Sequence, residues 1–356
     1  MIAALLTGHG GLEKLEYRDD VAVPIPGEGE VLIKVAAAGV NNTDINTRTA
    51  WYSKAVTSAT NEGGSDGFDQ ADDDDGSWSG VPLTFPRIQG ADCCGYIVSV
   101  GAGVDGSRIG ERVLVRNMLR TYCGYRPYDC WTFGSECDGA FAQYTKAPSQ
   151  ETHRVDCNWS DEELASLPCA YSTAEGMLHR ANIGAETVLI TGASGGVGSA
   201  AIQLCKRRGA RVIAIAGENK MADVQALGAD QVIARGANLV EALGRDTVDV
   251  AVDLVAGDQW VELMDVLRRG GRYVTAGAIA GPMVTLDVRT LYLKDLSFFG
   301  CTFQDDVVFE NLIKYVELGE IRPLVAKTYP LADIAQAQTD FLEKRHTGKL
   351  VLIPPK

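Results

Sequence analysis

The chain has 356 residues, 46% apolar and 22% charged, which excludes a disordered or fibrous protein and, at ~150 residues per domain, points to two domains with separate cores. Its 33 Lys and Arg face 47 Asp and Glu, a formal net charge of -14. That is the wrong sign for a protein held to nucleic acid by phosphate contacts. No apolar run approaches the roughly 20 residues that cross a bilayer, and the opening MIAALLTGHGGLEK has no basic segment ahead of its short apolar stretch; neither a membrane partner nor a secretory signal is expected, and the expected location is cytoplasmic. Nine cysteines in a chain of this length suit a reducing compartment better than a disulfide framework.

Residues 1–48 read as short strands joined by turns, with Glu30–Ala38 apolar and partly alternating after the turn cluster PIPGEGE. Residues 55–80 hold seven acids and no Lys or Arg, half of the net charge, without hydrophobic periodicity. This segment is expected to be a long loop. Strands resume at Gly95–Val100 and Arg112–Arg116, ahead of an irregular aromatic and Cys-containing stretch from Asn117 to Cys137. From about Asp161 the pattern becomes a regular βα alternation: a helical DEELASLPCAYSTAEGMLHRA, then strands at Thr187–Thr191, Arg211–Ala216, Gln231–Ile233, Val248–Asp253, Gly271–Ala276 and Leu296–Gly300. Six such strands imply a doubly wound parallel sheet. The last stretch offers helices at Val307–Leu318 and around Ile334–Lys344 and a closing strand Lys349–Ile353, expected to pack back on the first domain. The boundaries read are 1–155, 156–300 and 301–356, with the acidic insert inside the first.

The first strand of that alternation runs into Thr191-Gly192-Ala193-Ser194-Gly195-Gly196-Val197-Gly198 and then directly into a helix. Glycines there let the chain turn tightly and the backbone approach a pyrophosphate, while the helix N-terminus stabilises the anion. A dinucleotide is therefore expected on Ser194, Gly195, Gly196, Val197 and Gly198. At the end of the second strand, where an NAD enzyme places an acid on the ribose, the chain has Ala216-Gly217. Lys220 lies just beyond and reaches toward a 2′-phosphate, although Glu218 would repel one if it pointed inward. NADP(H) is the favoured cofactor, with Gly217 and Lys220 among its contacts.

With GVNNTDINTR at Gly39–Arg48, QGADCCGYIVSVGAGV at Gln89–Val104, GERVLV at Gly110–Val115, GAFAQY at Gly139–Tyr144, the glycine turn, LRRGGRYVTAGA at Leu267–Ala278 and GKLVLI at Gly348–Ile353, nearly the whole chain resembles the medium-chain dehydrogenase/reductase superfamily. The resemblance is to its quinone oxidoreductase branch, which includes zeta-crystallin-like members. It implies an α/β protein: a GroES-like β-rich catalytic domain, formed by the N-terminal part and the C-terminal tail, with a Rossmann domain inserted between. It also adds Thr173, Gly277, Ala278 and Lys349 to the cofactor contacts.

In the alcohol dehydrogenase branch a catalytic zinc is held at positions that read here as Asn41, Ala91 and Cys169. One ligand of three remains, too few for the site zinc prefers. The branch's structural zinc uses a C-x2-C-x2-C-x7-C lobe, whereas Cys123, Cys130 and Cys137 have the wrong spacing and lack a fourth ligand. No metal is expected. Without one, hydride transfer to a conjugated carbonyl needs orientation and hydrogen bonding to the developing enolate. By resemblance Asn41 replaces the zinc Cys, Tyr52 stands at the active-site mouth as proton donor or carbonyl anchor, Arg48 is nearby, and Thr173 lies against the nicotinamide.

The reading is a zinc-independent NADPH-dependent reductase of an enone, another α,β-unsaturated carbonyl or a quinone. Its alternatives are an alcohol dehydrogenase or ketone reductase of the same architecture, and a non-catalytic NADPH-binding sensor or structural protein. The acidic insert is read either as a solvated loop or as a lid with Trp51, Phe68 or Trp78 closing on the ligand. The apolar last Rossmann strand, LSFFGCT, would be an open sheet edge in a monomer, so a homodimer through it is expected.

Overall fold

A computed structural model describes residues 1–72 and 74–356; Asp73, one of the seven acids of the insert, lies outside the described residues. Contacts divide the chain into two compact units, Met1–Val56 with Asn61–Cys169 and Phe309–Lys356, and Thr57–Thr60 with Ala170–Val308. The divisions fall at Cys169 and Phe309 for physical reasons. Helix Asp161–Ala165 packs on strand Glu30–Gly39, and the Phe309 ring lies 4.9 Å from that of His153.

The first unit is built on a seven-stranded sheet. Its order is Thr152–Arg154, Arg112–Val115, Cys94–Val100, Glu30–Gly39, Lys349–Ile353 and Val325–Pro330, with Tyr144–Pro148 also on Glu30–Gly39. A second sheet of three strands sets Ala3–Leu6 between Leu15–Arg18 and Arg87–Ile88. The closing strand pairs antiparallel with the first long one through Val351–Gly39 and Leu352–Ala38, which joins the tail from Phe309 on to this unit. Val31, Ile33, Val113, Val115, Phe133, Phe141, Leu350 and Leu352 form its core. Burial of such side chains stabilises by roughly 1.5–3 kcal/mol each.

From residue 61 on, the described residues of the acidic insert form a long loop of turns hydrogen-bonded within the first unit. Leu12 N–H donates to Ser65 O at 3.1 Å, and Gly67 N–H to Gly63 O at 2.8 Å. Ser53 Oγ accepts from Asp72 N–H at 3.0 Å, and Asp75 accepts from Lys54 N–H at 2.9 Å.

The second unit carries the six strands read from the sequence, Thr187–Ile190, Arg211–Ala216, Gln231–Ala234, Val248–Asp253, Leu267–Thr275 and Ser297–Gly300. All pair parallel, in spatial order third, second, first, fourth, fifth, sixth. The order reverses beside the first strand, where such sheets open a crevice at the strand ends. The helical stretch expected ahead of the sheet is two helices, Asp161–Ala165 and Pro168–Arg180. Pro168 has no N–H to continue a helix and disfavours helical geometry at Leu167.

Candidate functional site

In the second unit the strand Thr187–Ile190 leads through the glycine turn into helix Gly196–Arg207. Gly192 takes φ +59°, and a Cβ on Gly198 would lie 2.3 Å from Gly192 O; only glycine lets the helix start so close to the strand. Gly195 is the N-cap and offers no side chain to the helix's first amides, the arrangement that leaves an anion to face them. Ser194 is buried, Gly196 and Val197 half-buried, and Gly195 exposed.

A fully buried carboxylate that sequence reading missed fixes the floor of this turn. Asp253 accepts from Thr191 Oγ1 at 2.6 Å, from Tyr273 OH at 2.7 Å and from Val255 N–H at 2.9 Å. It thereby joins the ends of the first, fourth and fifth strands. The clue available in the sequence was an acid ending an otherwise apolar run, VDVAVD.

The end of the second strand has no acid on the ribose side: Gly217 is followed by exposed Glu218 and by Lys220, which is 7% exposed. Burial, then the neighbouring Arg235, hold the Lys220 ammonium below its ordinary range. Beyond the fifth strand, a Cβ on Gly277 would lie 3.1 Å from Leu254 O, so glycine keeps that loop close to the fourth strand's end, with half-buried Ala278 after it. Thr173 is half-buried in helix Pro168–Arg180. These residues fit a dinucleotide: a bare glycine turn at a helix start, a backbone approach at Gly277, and a cation where the adenosine ribose is held.

In the first unit, helix Asn42–Arg48 begins in a capping box between Asn41 and Asp44. Asp44 accepts from Asn41 N–H at 2.7 Å and Ala91 N–H at 3.2 Å. Burial, opposed by the Asn41 bond and aided by the charge on Asp92, pushes this carboxyl up to about 7. Asp92 is fully buried and accepts from Cys169 N–H at 2.6 Å, from Asn41 Nδ2 at 2.8 Å and from Lys349 Nζ at 2.9 Å. Lys349 also donates to Asn41 Oδ1. One buried ammonium thus joins three distant segments.

Three expectations are corrected here. Asn41 is not a substrate contact, because its oxygen is taken by Lys349 and its amide hydrogens by Asp92 and by Gly39 O at 3.4 Å. Arg48 is not one either. It is fully buried, donating to Gln338 Oε1 and Gly10 O at 2.8 Å and to Gly64 O at 2.5 Å, so it anchors the insert. Lys349, expected on the cofactor, is 4% exposed with its ammonium on Asp92 and Asn41. Tyr52 is half-buried, its hydroxyl donating to Thr43 Oγ1 at 3.0 Å. Burial raises this phenol well above its ordinary value, with the neighbouring Cys169 and Asp44 adding to the shift. It therefore keeps its proton at neutral pH.

The residues at the zinc positions do not fit the metal. The donors are one amide already saturated, the methyl of Ala91 and the thiol of Cys169, beside a site that already holds the Lys349 cation. Among the described residues no group of three or more His, Cys, Asp or Glu is arranged to hold a metal. In the lobe, burial pushes the Cys130 and Cys137 thiols up to about 12, which leaves them protonated and poor ligands.

Comparison with known proteins agrees with this architecture. Residues 27–156 match the family model of the alcohol dehydrogenase GroES-like domain, and residues 227–352 that of zinc-binding dehydrogenases. A solved Sinorhizobium meliloti protein, provisionally assigned as an alcohol dehydrogenase, is 47% identical over 100% of this chain and 97% of its own, with a TM-score of 0.87. The chain belongs to the medium-chain dehydrogenase/reductase superfamily. As a medium-chain dehydrogenase/reductase it is an oxidoreductase of a nicotinamide-dinucleotide-dependent family. It is also similar to the acryloyl-coenzyme A reductase of Metallosphaera sedula, 29% identical over 99% of both chains. The human quinone oxidoreductase is 27% identical over 99% of this chain and 98% of its own.

Proposed function

We propose that this medium-chain enzyme is a zinc-independent, NADPH-dependent reductase of an α,β-unsaturated carbonyl or quinone. The observation that carries the reading is the Asn41–Asp92–Lys349 network: of the three positions where the superfamily's alcohol dehydrogenases hold zinc, Asn41 is tied into a buried ammonium–carboxylate pair and Ala91 offers no donor. Quinone oxidoreductase and acryloyl-coenzyme A reductase relatives along the whole chain support the same class of electron acceptor.

When bound, the nicotinamide supplies a hydride. The chain's own residues then have two tasks. The glycine turn and Gly217 hold the dinucleotide, Lys220 favours a 2′-phosphate over a bare ribose, and Thr173, Gly277 and Ala278 line its nicotinamide end. Tyr52, kept protonated by burial, donates its hydrogen to the enolate or hydroquinone oxygen that develops as the β-carbon or quinone accepts the hydride. Thr43 holds the phenol's direction. Asn41, Asp44, Asp92 and Lys349 act as positioning residues for this loop.

Tyr52→Phe tests the assignment. It removes the donor and keeps the ring, so kcat is expected to fall by about 10²-fold or more with NADPH affinity unchanged; full turnover in Tyr52→Phe overturns the role. The second unit's outermost strand, Ser297–Gly300, exposes Phe298, and the preceding helix Val288–Leu293 exposes Val288, Tyr292 and Leu293, which supports a homodimer through that edge. A monomer mass in light scattering would contradict it.

A further inference from the structure

We propose that Lys344 is a positioning residue for proton donation by Tyr52: acting through Asn42 and Asn46, its ammonium sets an amide hydrogen on the phenol oxygen and so holds the phenolate that the step leaves. The inference rests on the assignment of Tyr52 as proton donor. Lys344 Nζ donates to Asn42 Oδ1 at 3.4 Å, and Asn42 Nδ2 donates to Asn46 Oδ1 at 3.1 Å. Asn46 in turn is hydrogen-bonded to the Tyr52 phenol. Asn42 and Asn46 stand four residues apart on helix Asn42–Arg48, the spacing that brings two side chains together on one face.

Charge fixes the direction of every bond in this series. An ammonium only donates, so Asn42 turns its oxygen to Lys344 and its NH2 to Asn46. Asn46 then accepts at its oxygen and, since the phenol hydrogen goes to Thr43 Oγ1 at 3.0 Å, meets Tyr52 with its own NH2. Burial raises the Tyr52 phenol, and the Thr43 and Asn46 bonds oppose it. In the reaction the phenolic O–H bond breaks and an O–H bond forms on the enolate or hydroquinone oxygen. The charge left on Tyr52 is held by the Asn46 amide, polarised by the ammonium behind it, until water returns a proton. Asn46 is 5% exposed, so this amide and not bulk water faces the phenol from that side.

The backbone at Lys344 points the same way. The residue follows helix Ile334–Glu343 at φ 52°, ψ 32°, a left-handed helix end that suits glycine. Its Nζ lies 3.7 Å from the centre of the Phe341 ring, whose face draws a cation. Glycine would relieve the backbone and end the series at Asn42.

The test is steady-state kinetics of full-length wild type, Lys344→Gly, Lys344→Met and Lys344→Arg with NADPH and an α,β-unsaturated ketone or a quinone, in H2O and in D2O, with the melting temperature of each. The lysine substitutions are repeated in the Tyr52→Phe background. Lys344→Gly is expected to melt at or above the wild-type temperature, while its kcat, like that of Lys344→Met, falls about threefold or more with a larger solvent isotope effect and an unchanged KM for NADPH. Lys344→Arg should recover most of the rate. In Tyr52→Phe the same substitutions should change kcat by less than about 1.5-fold, because the group they act on is gone. If Lys344→Gly and Lys344→Met keep the wild-type kcat, or slow Tyr52→Phe as much as they slow wild type, the proposal is overturned while the Tyr52 assignment stands. If Tyr52→Phe keeps full turnover, or wild type reduces neither acceptor, the assignment itself fails and the proposal goes with it.

Discussion

Replacing Lys349 by methionine removes the cation that neutralises Asp92 and keeps a side chain of similar length. Asp92 is fully buried and Lys349 is 4% exposed, so water cannot take over the lost charge. The carboxylate retains only the neutral donors Cys169 N–H and Asn41 Nδ2, and Asn41 Oδ1 loses its donor as well. Breaking a buried pair from one side costs about 3–5 kcal/mol. At about 2–4 °C per kcal/mol for a unit of this size, the first unit's melting transition should fall by on the order of 10 °C. Differential scanning calorimetry reads this directly. The double variant Asp92→Asn with Lys349→Met has no buried charge left at the pair and should regain about half of the loss. A Lys349→Met transition within about 2 °C of wild type, or a double variant no better than the single one, would refute the reasoning.

Three further outcomes follow from the same structure. Asp44, raised to about 7 in the folded chain, holds a proton that the unfolded chain releases near pH 4; its contribution to stability is therefore greatest at low pH, declines from pH 4 to 7 and is level above. Denaturant unfolding should show wild type losing ground to Asp44→Asn across that window, by up to about 4 kcal/mol, and a constant gap would contradict it. Ala256 sits at φ 55°, ψ -137°, a region that suits glycine, so Ala256→Gly should stabilise by about 1 kcal/mol, read as a higher denaturation midpoint. Deleting residues 61–77 removes the Gly64 carbonyl from the buried Arg48 guanidinium. The product should melt earlier by several degrees, and Arg48→Met in the same background should restore part of the loss.

The parallel sheet was legible because its strands are apolar on both faces and bounded by turns. Val248–Asp253 and Arg211–Ala216 appear with the limits expected. The fifth strand was not fully legible: Leu267–Gly270 precede its apolar stretch and join it through pairing with the fourth strand, which hydropathy does not encode. The glycine turn was readable because Gly192 and Gly198 answer local steric demands. The first unit's site was not, since its organising pair, Asp92 and Lys349, lies far apart in sequence and meets only when the tail strand pairs with Glu30–Gly39. Arg48 and Asn41 were polar residues in a suggestive loop. Only the positions of Gly10, Gly64, Gln338 and Lys349 reveal that their hydrogen bonds are spent inside the protein.

The most direct test of the account follows the hydride. Chelator-treated enzyme is incubated with NADPH carrying deuterium at the transferred C4 position and an α,β-unsaturated ketone, and the product is read by mass spectrometry and NMR. The account predicts a saturated ketone with deuterium on the β-carbon. Deuterium on a carbinol carbon, or turnover that returns only when zinc is added back, would contradict it.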